Sequence, residues 1–524
     1  MQETIEKEEE KEVLTEFTLS KKKVVINLLK LIPKMKKTRK RAEEIITNIK
    51  EPKKRVIAPD METIKSDLEK VCSVPHRRIG TKEAHEIENF LEETLINIGI
   101  QDVQKEEFDL IDWSATNWKL SITKNGETMD IPCFYTLNTE FTENEGITAP
   151  LIYIGAGTKK DFKKNDVKDK IVVADIIFPT LPLGKLVKLV KTYYVSNPTG
   201  SIKEDSEIVL TFVLENFPPQ ALGAGPREDS VYWRAVRNGA LGLVLILRDY
   251  PSNVNTHWGP YDGSMKPIPA LYVGKYDGMQ VREIAQSNEA QGTLILEGSK
   301  EPTTAHNIWG ILPGQSEDSI LVSSHHDSAF EGASEDGTGV AQVLAQARAW
   351  SKIPKENRPK TLIFLLTAGH LYGGIGAESF AQKYKNTLLK KVLVDVNLEH
   401  MCAKEVDEDP ETKGFKLTGN LALGCVFLSK NDVLIAHTIK AFREHEIEHM
   451  LLIPDNFFAT PPIGEAGHLA IHGDVKVIHW IRSPYYLLTG EDTMDKIDMN
   501  KLNPTAQCVS DLINSLMQLP REDF

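Results

Sequence analysis

From residue 308 onward, apolar runs that suit buried strands alternate with stretches of helical periodicity. The strand-like runs cover residues 319–324, 361–367, 392–397 and 475–481. The helical stretches cover residues 339–351, 377–384, 433–445 and 504–516. Strands that are apolar throughout are typical of a parallel sheet with helices on both faces. This half of the chain therefore predicts an α/β fold with a mainly parallel sheet flanked by helices.

The first residues have a different texture. Residues 1–59 change from an acidic run at 6–10 to a basic stretch at 36–41, with apolar residues at helical spacing between them. We predict a charged helical arm. A basic amphipathic helix can lie on a membrane, but such charge runs more often form solvated faces or packing arms. We therefore do not expect this arm to contact a membrane.

The middle of the chain is rich in short β-type runs broken by Gly and Pro. These runs fall between residues 139 and 298, where we predict an inserted β-rich domain with a long surface excursion at 179–230. Residues 60–138 predict the first part of the α/β domain, and residues 299–524 predict its second part. The insert therefore interrupts one domain.

Composition excludes several classes of protein. The 524 residues contain 75 acidic and 62 basic side chains, and the resulting net charge of −13 argues against nucleic-acid binding. The five cysteines are far apart and never in CxxC spacing, which argues against a disulfide framework or a cysteine zinc cluster. With an acidic start and no apolar run near the roughly 20 residues that span a bilayer, we expect a cytoplasmic protein.

Histidines and carboxylates follow three of the predicted strands. Eleven of the fourteen histidines lie between His306 and His479. The groups at strand ends are His325-His326-Asp327, His370 and Glu399-His400, and a nearby loop adds Glu331, Glu335 and Asp336. Ligands bind at the carboxyl edge of parallel sheets, where these loops converge. Zn²⁺ accepts such side chains, so the pattern predicts a metal site, although any one group can instead be a turn or cap residue.

Residues 445–449 offer a second metal motif, His-Glu-x-x-His. On a helix this spacing places two zinc ligands one turn apart. Here the neighbouring residues are charged and Pro454 follows closely, so we interpret the segment as an exposed helix end.

The order of these groups resembles the co-catalytic zinc aminopeptidase family, to which the transferrin receptor ectodomain is related. The family pattern is His-x-Asp after a strand, a Gly-Ala-x-Asp loop, Glu-Glu after a strand, Asn-Leu-Asp/Glu, and a late His-Thr-x-x-Asp-Thr. The matching segments here are 325–327, 332–339, 369–373, 397–399 and 488–493. The resemblance implies the zinc-peptidase fold, and the insert resembles a protease-associated domain.

The resemblance also implies roles for individual residues. His325 and Glu399 would bind one metal, Glu335 would take the place of the bridging carboxylate, and Asp327 would orient His325. The ligands of a second metal would fall on two leucines, Leu371 and Leu488, which have no donor atoms.

We therefore expect one divalent metal per chain, Zn²⁺ or another divalent cation. Further donors would be His326, Asp336 and His400.

The implied function is a metal-dependent hydrolase of peptide or amide bonds that acts on a peptide or a small amide. A metal-bound water would attack, His370 would replace the family's general-base glutamate, and Tyr485 or Tyr486 would lie near the oxyanion. The alternative is a non-catalytic binding protein that kept the fold, as the likeness to the transferrin receptor allows. The substrate and the oligomeric state do not follow from the sequence.

Overall fold

The computed structural model describes residues 35–52, 54–178, 180–182, 193–203, 206–209, 230–260, 262–287, 289–457, 462 and 464–524. The strands are β1 (Gln101–Lys124), β2 (Glu127–Ile131), β3 (Cys133–Tyr135), β4 (Ile147–Tyr153), β5 (Ile171–Asp175), β6 (Thr180–Pro182), β7 (Tyr194–Ser196), β8 (Glu207–Val209), β9 (Gly242–Ile246), β10 (Ala270–Val273), β11 (Gln291–Leu312), β12 (Ser316–His325), β13 (Lys360–Thr367), β14 (Val392–Glu399), β15 (Lys404–Asp409), β16 (Gly414–Leu421), β17 (Gly424–Leu428), β18 (Met450–Pro454) and β19 (Val477–Arg482). The helices are α1 (Met61–Cys72), α2 (Lys82–Ile98), α3 (Lys159–Lys164), α4 (Val231–Arg237), α5 (Lys275–Gln286), α6 (Thr338–Ser351), α7 (Ile375–Tyr384), α8 (Asp432–Glu444), α9 (Gly464–Gly473) and α10 (Met499–Met517).

One large sheet connects most of the strands, in the order β3-β10-β9-β5-β4-β11-β13-β12-β14-β19-β17-β18-β7. The central strands β13, β12, β14 and β19 run parallel to one another. Antiparallel pairing joins them to β11 on one side and to β17 on the other. The predicted α/β fold is confirmed, and its parallel strands lie where the histidine-bearing loops converge.

Helices cover both faces of the central strands, as the apolar runs predicted. On β12, Ile320 and Val322 pack into the larger core with α1, α6, α8 and α10. Leu321 points to the opposite face and packs in a second cluster with Phe380 of α7 and Leu469 of α9. Successive strand residues point to opposite faces, so a strand must be apolar throughout when both faces are covered.

The region predicted as an insert contains its own parallel strands. β4, β5, β9 and β10 pair parallel to one another, and β4 pairs antiparallel with β11. β11 then continues across position 298 and pairs with β13. The two parts of the chain therefore share one long strand, while the assignment of the insert as a protease-associated domain stays a prediction.

The predicted arm falls partly outside the described residues, which begin at Met35. Residues 35–46 are helical, and Met35 is buried in the larger core. Along the described part of the chain, no helix combines the length and apolarity needed to cross a membrane.

One buried amide ties β11 to the loop that carries His370. The Asn307 side chain accepts a hydrogen bond from the Ala368 backbone N–H at 3.1 Å and donates to the Gly376 carbonyl at 3.0 Å. Asn307 is fully buried. The two backbone groups lie on either side of His370, so this side chain fixes the turn that presents the imidazole.

We expect Asn307→Ala to lower the free energy of unfolding by about 2 to 4 kcal/mol, because two buried backbone groups lose their partner. Urea unfolding followed by circular dichroism measures the loss. The matched control is Asn420→Ala, since Asn420 is exposed on β16 and its replacement should change stability by less than about 0.5 kcal/mol. Equal effects of the two substitutions would contradict this role for Asn307.

Candidate metal centre

Three parallel strands deliver the predicted histidines to one edge of the sheet. His325 is the last residue of β12, Glu399 is the last residue of β14, and His400 follows it. His370 begins a short helical turn after β13. Glu335 lies in the loop before α6. The structure therefore brings these groups together at the carboxyl edge of the sheet.

Glu335 lies at the centre of the group. One carboxylate oxygen, Oε1, is 3.4 Å from His325 Nε2 and 3.4 Å from His370 Nε2. The other oxygen, Oε2, is 2.8 Å from His400 Nε2. The rings of His325 and His370 stack with their centroids 4.0 Å apart. A single buried carboxylate therefore faces three imidazoles.

The charges of this group depend on one another. Burial alone would raise the pKa of Glu335, but the three imidazoles outweigh it and lower the pKa to about 2. Burial alone would lower the pKa of His400, but Glu335 and other nearby carboxylates raise it to about 10. Opposite charges in a site of low dielectric stabilise each other's ionised form. Without a metal, protons on the imidazoles balance the carboxylate.

A second carboxylate contacts the Nδ1 atom of His370, on the opposite side of the ring from Glu335. The His370 Nδ1 lies 2.9 Å from both oxygens of Glu465, the second residue of α9. Burial alone would lower the pKa of His370, but Glu465, together with Glu335, raises it to about 10. The contact fixes the proton on Nδ1 and turns Nε2 toward Glu335.

Glu399 has a different environment from Glu335. Burial, reinforced by the negative charge of Glu465, raises its pKa well above the usual value. His479 Nε2 lies 3.4 Å from Glu399 Oε1, and burial lowers the pKa of His479 to about 3. A Cβ on Gly464 would come within 2.9 Å of both carboxylate oxygens, so only a glycine fits beside this carboxylate.

Several buried ligand atoms lack a hydrogen-bond partner within the described part of the chain. They are His325 Nε2, Glu335 Oε1 and both carboxylate oxygens of Glu399. Buried polar atoms are normally paired, since an unpaired one costs about 1 to 3 kcal/mol. A cation offers such atoms a common partner, so the donor set fits a divalent metal such as Zn²⁺.

The donors form two overlapping groups of three, each with its ligand atoms within 4.8 Å of one another. One group consists of His325, Glu335 and His370, and the other of His325, Glu399 and His400. The predicted ligands Glu335 and Glu399 therefore fall in different groups that share His325.

Asp327 lies where the resemblance implied. Its carboxylate is 3.7 Å from His325 Nδ1 and accepts hydrogen bonds from the backbone N–H groups of His370 and Leu371. It therefore positions His325 and the turn that carries His370.

Two buried charges hold the loop that carries Glu335. The fully buried guanidinium of Arg77 donates to four backbone carbonyls. They belong to His326, Glu331, Gly332 and Glu335, at 2.9, 2.6, 2.7 and 3.3 Å. From the other side, the Asp492 carboxylate accepts the backbone N–H groups of Ser334 and Glu335 at 2.8 and 2.9 Å.

Comparison with known proteins agrees with this geometry. Residues 307–421, which contain the groups from His325 to His400, match Peptidase family M28. Over these residues the chain is similar to that peptidase family. The resemblance to zinc aminopeptidases is thereby confirmed.

The proteins that the chain resembles in sequence include an aminopeptidase and a transferrin receptor. Aminopeptidase YwaD of Bacillus subtilis is 25% identical over 303 residues, which are 57% of this chain and 52% of that protein. Transferrin receptor protein 1 of Gallus gallus is 22% identical over 306 residues, which are 54% of this chain and 38% of that protein. The chain thus spans about half or less of these two relatives.

Solved structures show the same fold. The zinc aminopeptidase BSAP from Bacillus subtilis aligns with a TM-score of 0.61 at 16% identity, over 89% of this chain and 98% of that chain. A peptidase M28 precursor from Shewanella amazonensis also has a TM-score of 0.61, at 17% identity, over 92% and 97% of the two chains.

Leu371 and Leu488, where the resemblance placed the ligands of a second metal, pack in one apolar cluster. The cluster contains Trp258 and Phe330, and both leucines are almost fully buried in it. The Leu488 carbonyl accepts the backbone N–H of Trp258 at 2.7 Å. Apolar packing from the middle part of the chain surrounds these two positions.

Two of the residues predicted as further metal donors make hydrogen bonds within the protein instead. The Asp336 carboxylate accepts hydrogen bonds from the Ser324 hydroxyl and from the backbone N–H groups of Gly339 and His400. His326 Nε2 lies 3.0 Å from the His306 carbonyl. Neither residue belongs to a candidate metal group, whereas His400 does.

The predicted tyrosines lie in a separate cluster. The Tyr486 hydroxyl is 3.0 Å from the Lys404 carbonyl and 3.2 Å from the Lys496 carbonyl, and its ring is fully buried. This hydroxyl therefore has a structural role, since it donates to backbone carbonyls. Tyr485 packs against the same cluster, and a role near an oxyanion stays a prediction for it.

The His-Glu-x-x-His segment is not helical. α8 ends at Glu444, and Glu446 and His449 have φ values of 46° and 60°. His445 Nε2 pairs with Asp511 at 3.0 Å. The segment therefore follows the end of α8, as interpreted, but it is not an exposed segment, because Ile447 and His449 are buried.

The sequence patterns missed two site residues, Glu465 and His479. Glu465 starts a helix and follows no strand, so the search for strand ends did not reach it. His479 stood in an otherwise apolar strand run, which was a usable signal.

We expect Arg77→Met to lower the free energy of unfolding by at least about 3 kcal/mol, because it leaves several buried carbonyls without a donor. Urea unfolding measures this change. Arg55→Met is the control, since Arg55 is exposed and pairs only with Asp511. If Arg77→Met lowers the free energy of unfolding by less than about 1 kcal/mol, the loop does not depend on the hydrogen bonds of Arg77.

Proposed function

We propose that the protein is a metal-dependent hydrolase of peptide or amide bonds with one divalent cation, first of all Zn²⁺, at this centre. The observation that carries the proposal is the set of buried imidazole and carboxylate atoms without hydrogen-bond partners in the described residues. The M28 match and the similarity to aminopeptidase YwaD support the same reaction class.

His325, Glu335 and Glu399 would hold the cation, and His400 is a further donor. Such a cation lowers the pKa of a bound water and polarises a carbonyl group. Asp327 and the Arg77 clamp keep His325 and Glu335 in place. The three protein ligands leave room for water or substrate, which is typical of catalytic rather than structural zinc sites.

His370 and Glu465 would supply the proton transfer. With the proton of the neutral ring held on Nδ1 by Glu465, the Nε2 atom is the acceptor, and it faces the centre. Glu465, and after it Glu335, raises the pKa of His370 to about 10, and the positive charge of a bound cation would lower this pKa. Proton transfer by His370 would therefore depend on the bound cation.

The single-metal character of the site is part of this proposal. Leu371 and Leu488 offer no ligand atoms, and large apolar side chains surround them. A second cation at these positions would lose its water without gaining donors, which is strongly unfavourable.

Substrate and cell compartment are also proposals. A peptide or a small amide suits the reaction class. The five free cysteines lie apart, and Cys72, Cys402 and Cys508 are buried, an arrangement that suits a reducing cytoplasm.

A non-catalytic binding protein is the second candidate. The leucines in place of ligands and the similarity to transferrin receptor protein 1 favour it. Such a protein would lack both the metal bound through Glu399 and the hydrolysis of peptides.

We expect Glu399→Ala to bind one equivalent of zinc less than the wild type, because the site loses an anionic ligand. Zinc content after dialysis, measured by mass spectrometry, tests this, and Glu399→Gln repeats the test with nearly the same shape. His445→Ala is the control and should keep the wild-type content. Unchanged zinc in both Glu399 variants would refute this ligand assignment.

We expect His370→Gln to keep the zinc of the wild type and to lower kcat by about 10²- to 10⁴-fold on a peptide substrate, as loss of a general base does. Zinc content and steady-state kinetics measured on the same sample distinguish a general base from a metal ligand. Loss of zinc with His370 would make this residue a ligand, as its place in one donor group allows.

A further inference from the structure

A second group of metal-type side chains lies on the two helices behind the centre. The peripheral cluster consists of Glu378 on α7 and of His468 and His472 on α9. The two histidines are four residues apart, so they lie on one face of the helix, one turn from each other. All three side chains are half-buried.

The cluster has the dimensions of a metal site. One ligand atom from each residue lies within 4.8 Å of the other two, and His472 Nε2 is 3.7 Å from Glu378 Oε1. In tetrahedral zinc sites with bonds of about 2.1 Å, ligand atoms are separated by roughly 3.4 Å. Small side-chain rotations close the remaining gap.

The His468 ring has one nitrogen engaged by packing and one without a partner. A Cβ on Gly374 would lie 2.3 Å from His468 Nε2, so this edge of the ring is pressed against the backbone before α7. On the other side of the ring, Nδ1 is buried and has no hydrogen-bond partner among the described residues. An imidazole nitrogen without a hydrogen-bond partner is available to bind a metal ion.

We propose that Glu378, His468 and His472 form a second, peripheral site for a divalent transition metal, of which Zn²⁺ is the representative. Two imidazoles and one carboxylate suit zinc and its first-row neighbours better than Ca²⁺ or Mg²⁺, which prefer oxygen ligands. The ion would replace the hydrogen bond of 2.8 Å that Gln382 donates to Glu378 Oε1.

The site would join the helices that support the metal centre. α9 begins beside Glu465, which holds His370, and α7 follows the turn that carries His370. A metal bound by both helices fixes the distance between these two supports. The peripheral ion is therefore structural, and it stabilises the placement of the His370 imidazole.

Another group of the same composition provides a contrast. His85 and His306 both direct Nδ1 to Glu88 Oε2, at 2.8 and 2.7 Å, and Lys105 Nζ lies 3.7 Å from the same oxygen. The carboxylate is already satisfied there, and a neighbouring ammonium repels a cation. This group serves as the internal control.

The experiment measures zinc bound by the full chain at saturation, by equilibrium dialysis with Zn²⁺ alone. We expect His472→Ala to bind one equivalent less than the wild type and Glu378→Gln to bind that equivalent at least tenfold more weakly. His85→Ala, the matched control, should equal the wild type. Circular dichroism checks that each variant is folded.

The double variant His472→Ala with Glu399→Ala separates the two sites. Loss of a further equivalent relative to each single variant supports two independent sites. If His472→Ala binds as much zinc as the wild type, or if His85→Ala loses as much zinc as His472→Ala, the peripheral site is refuted, whatever the result at Glu399.

Discussion

The charge of Glu335 is the constraint on which the centre depends. This carboxylate is buried among three imidazoles that come from three different strand ends. A buried charge without partners is very unfavourable, so each imidazole must keep its place for the loop to be stable. The chain meets this demand with the backbone as well, because Arg77 and Asp492 fix the loop from opposite sides. The interactions that stabilise the fold at this edge of the sheet therefore also fix the positions of the imidazole and carboxylate groups.

The carboxylates of Glu465 and Glu399 have different electrostatic environments. Glu465 stays ionised because the neighbouring histidines outweigh its burial and lower its pKa. Glu399 lacks such compensation, and its pKa is raised. Glu465 therefore positions an imidazole, whereas the two carboxylate oxygens of Glu399 have no hydrogen-bond partner among the described residues.

Much of the architecture could be predicted because its signals are local. The uninterrupted apolar runs of β12, β13 and β14 indicate strands covered on both faces, and such strands bring their following residues together. The contribution of Glu465 could not be predicted in this way, since it depends on how α9 packs against the His370 turn. The same holds for Arg77, whose four partners are carbonyls and therefore have no sequence signature. The position of the Tyr486 hydroxyl also could not be predicted, because a side chain's direction follows from tertiary packing.

The long strand β11 joins the middle part of the chain to the strands that carry the centre. It pairs with β1 along most of its length, with β4 on the insert side and with β13 beside the centre. The middle part of the chain also touches the site loops, through the Trp258 to Leu488 hydrogen bond and the contact between Thr256 and Gly490. A swinging motion of one part against the other would break a continuous ladder of backbone hydrogen bonds. Within the described residues, β11 therefore couples the middle part of the chain directly to the strand beside the centre.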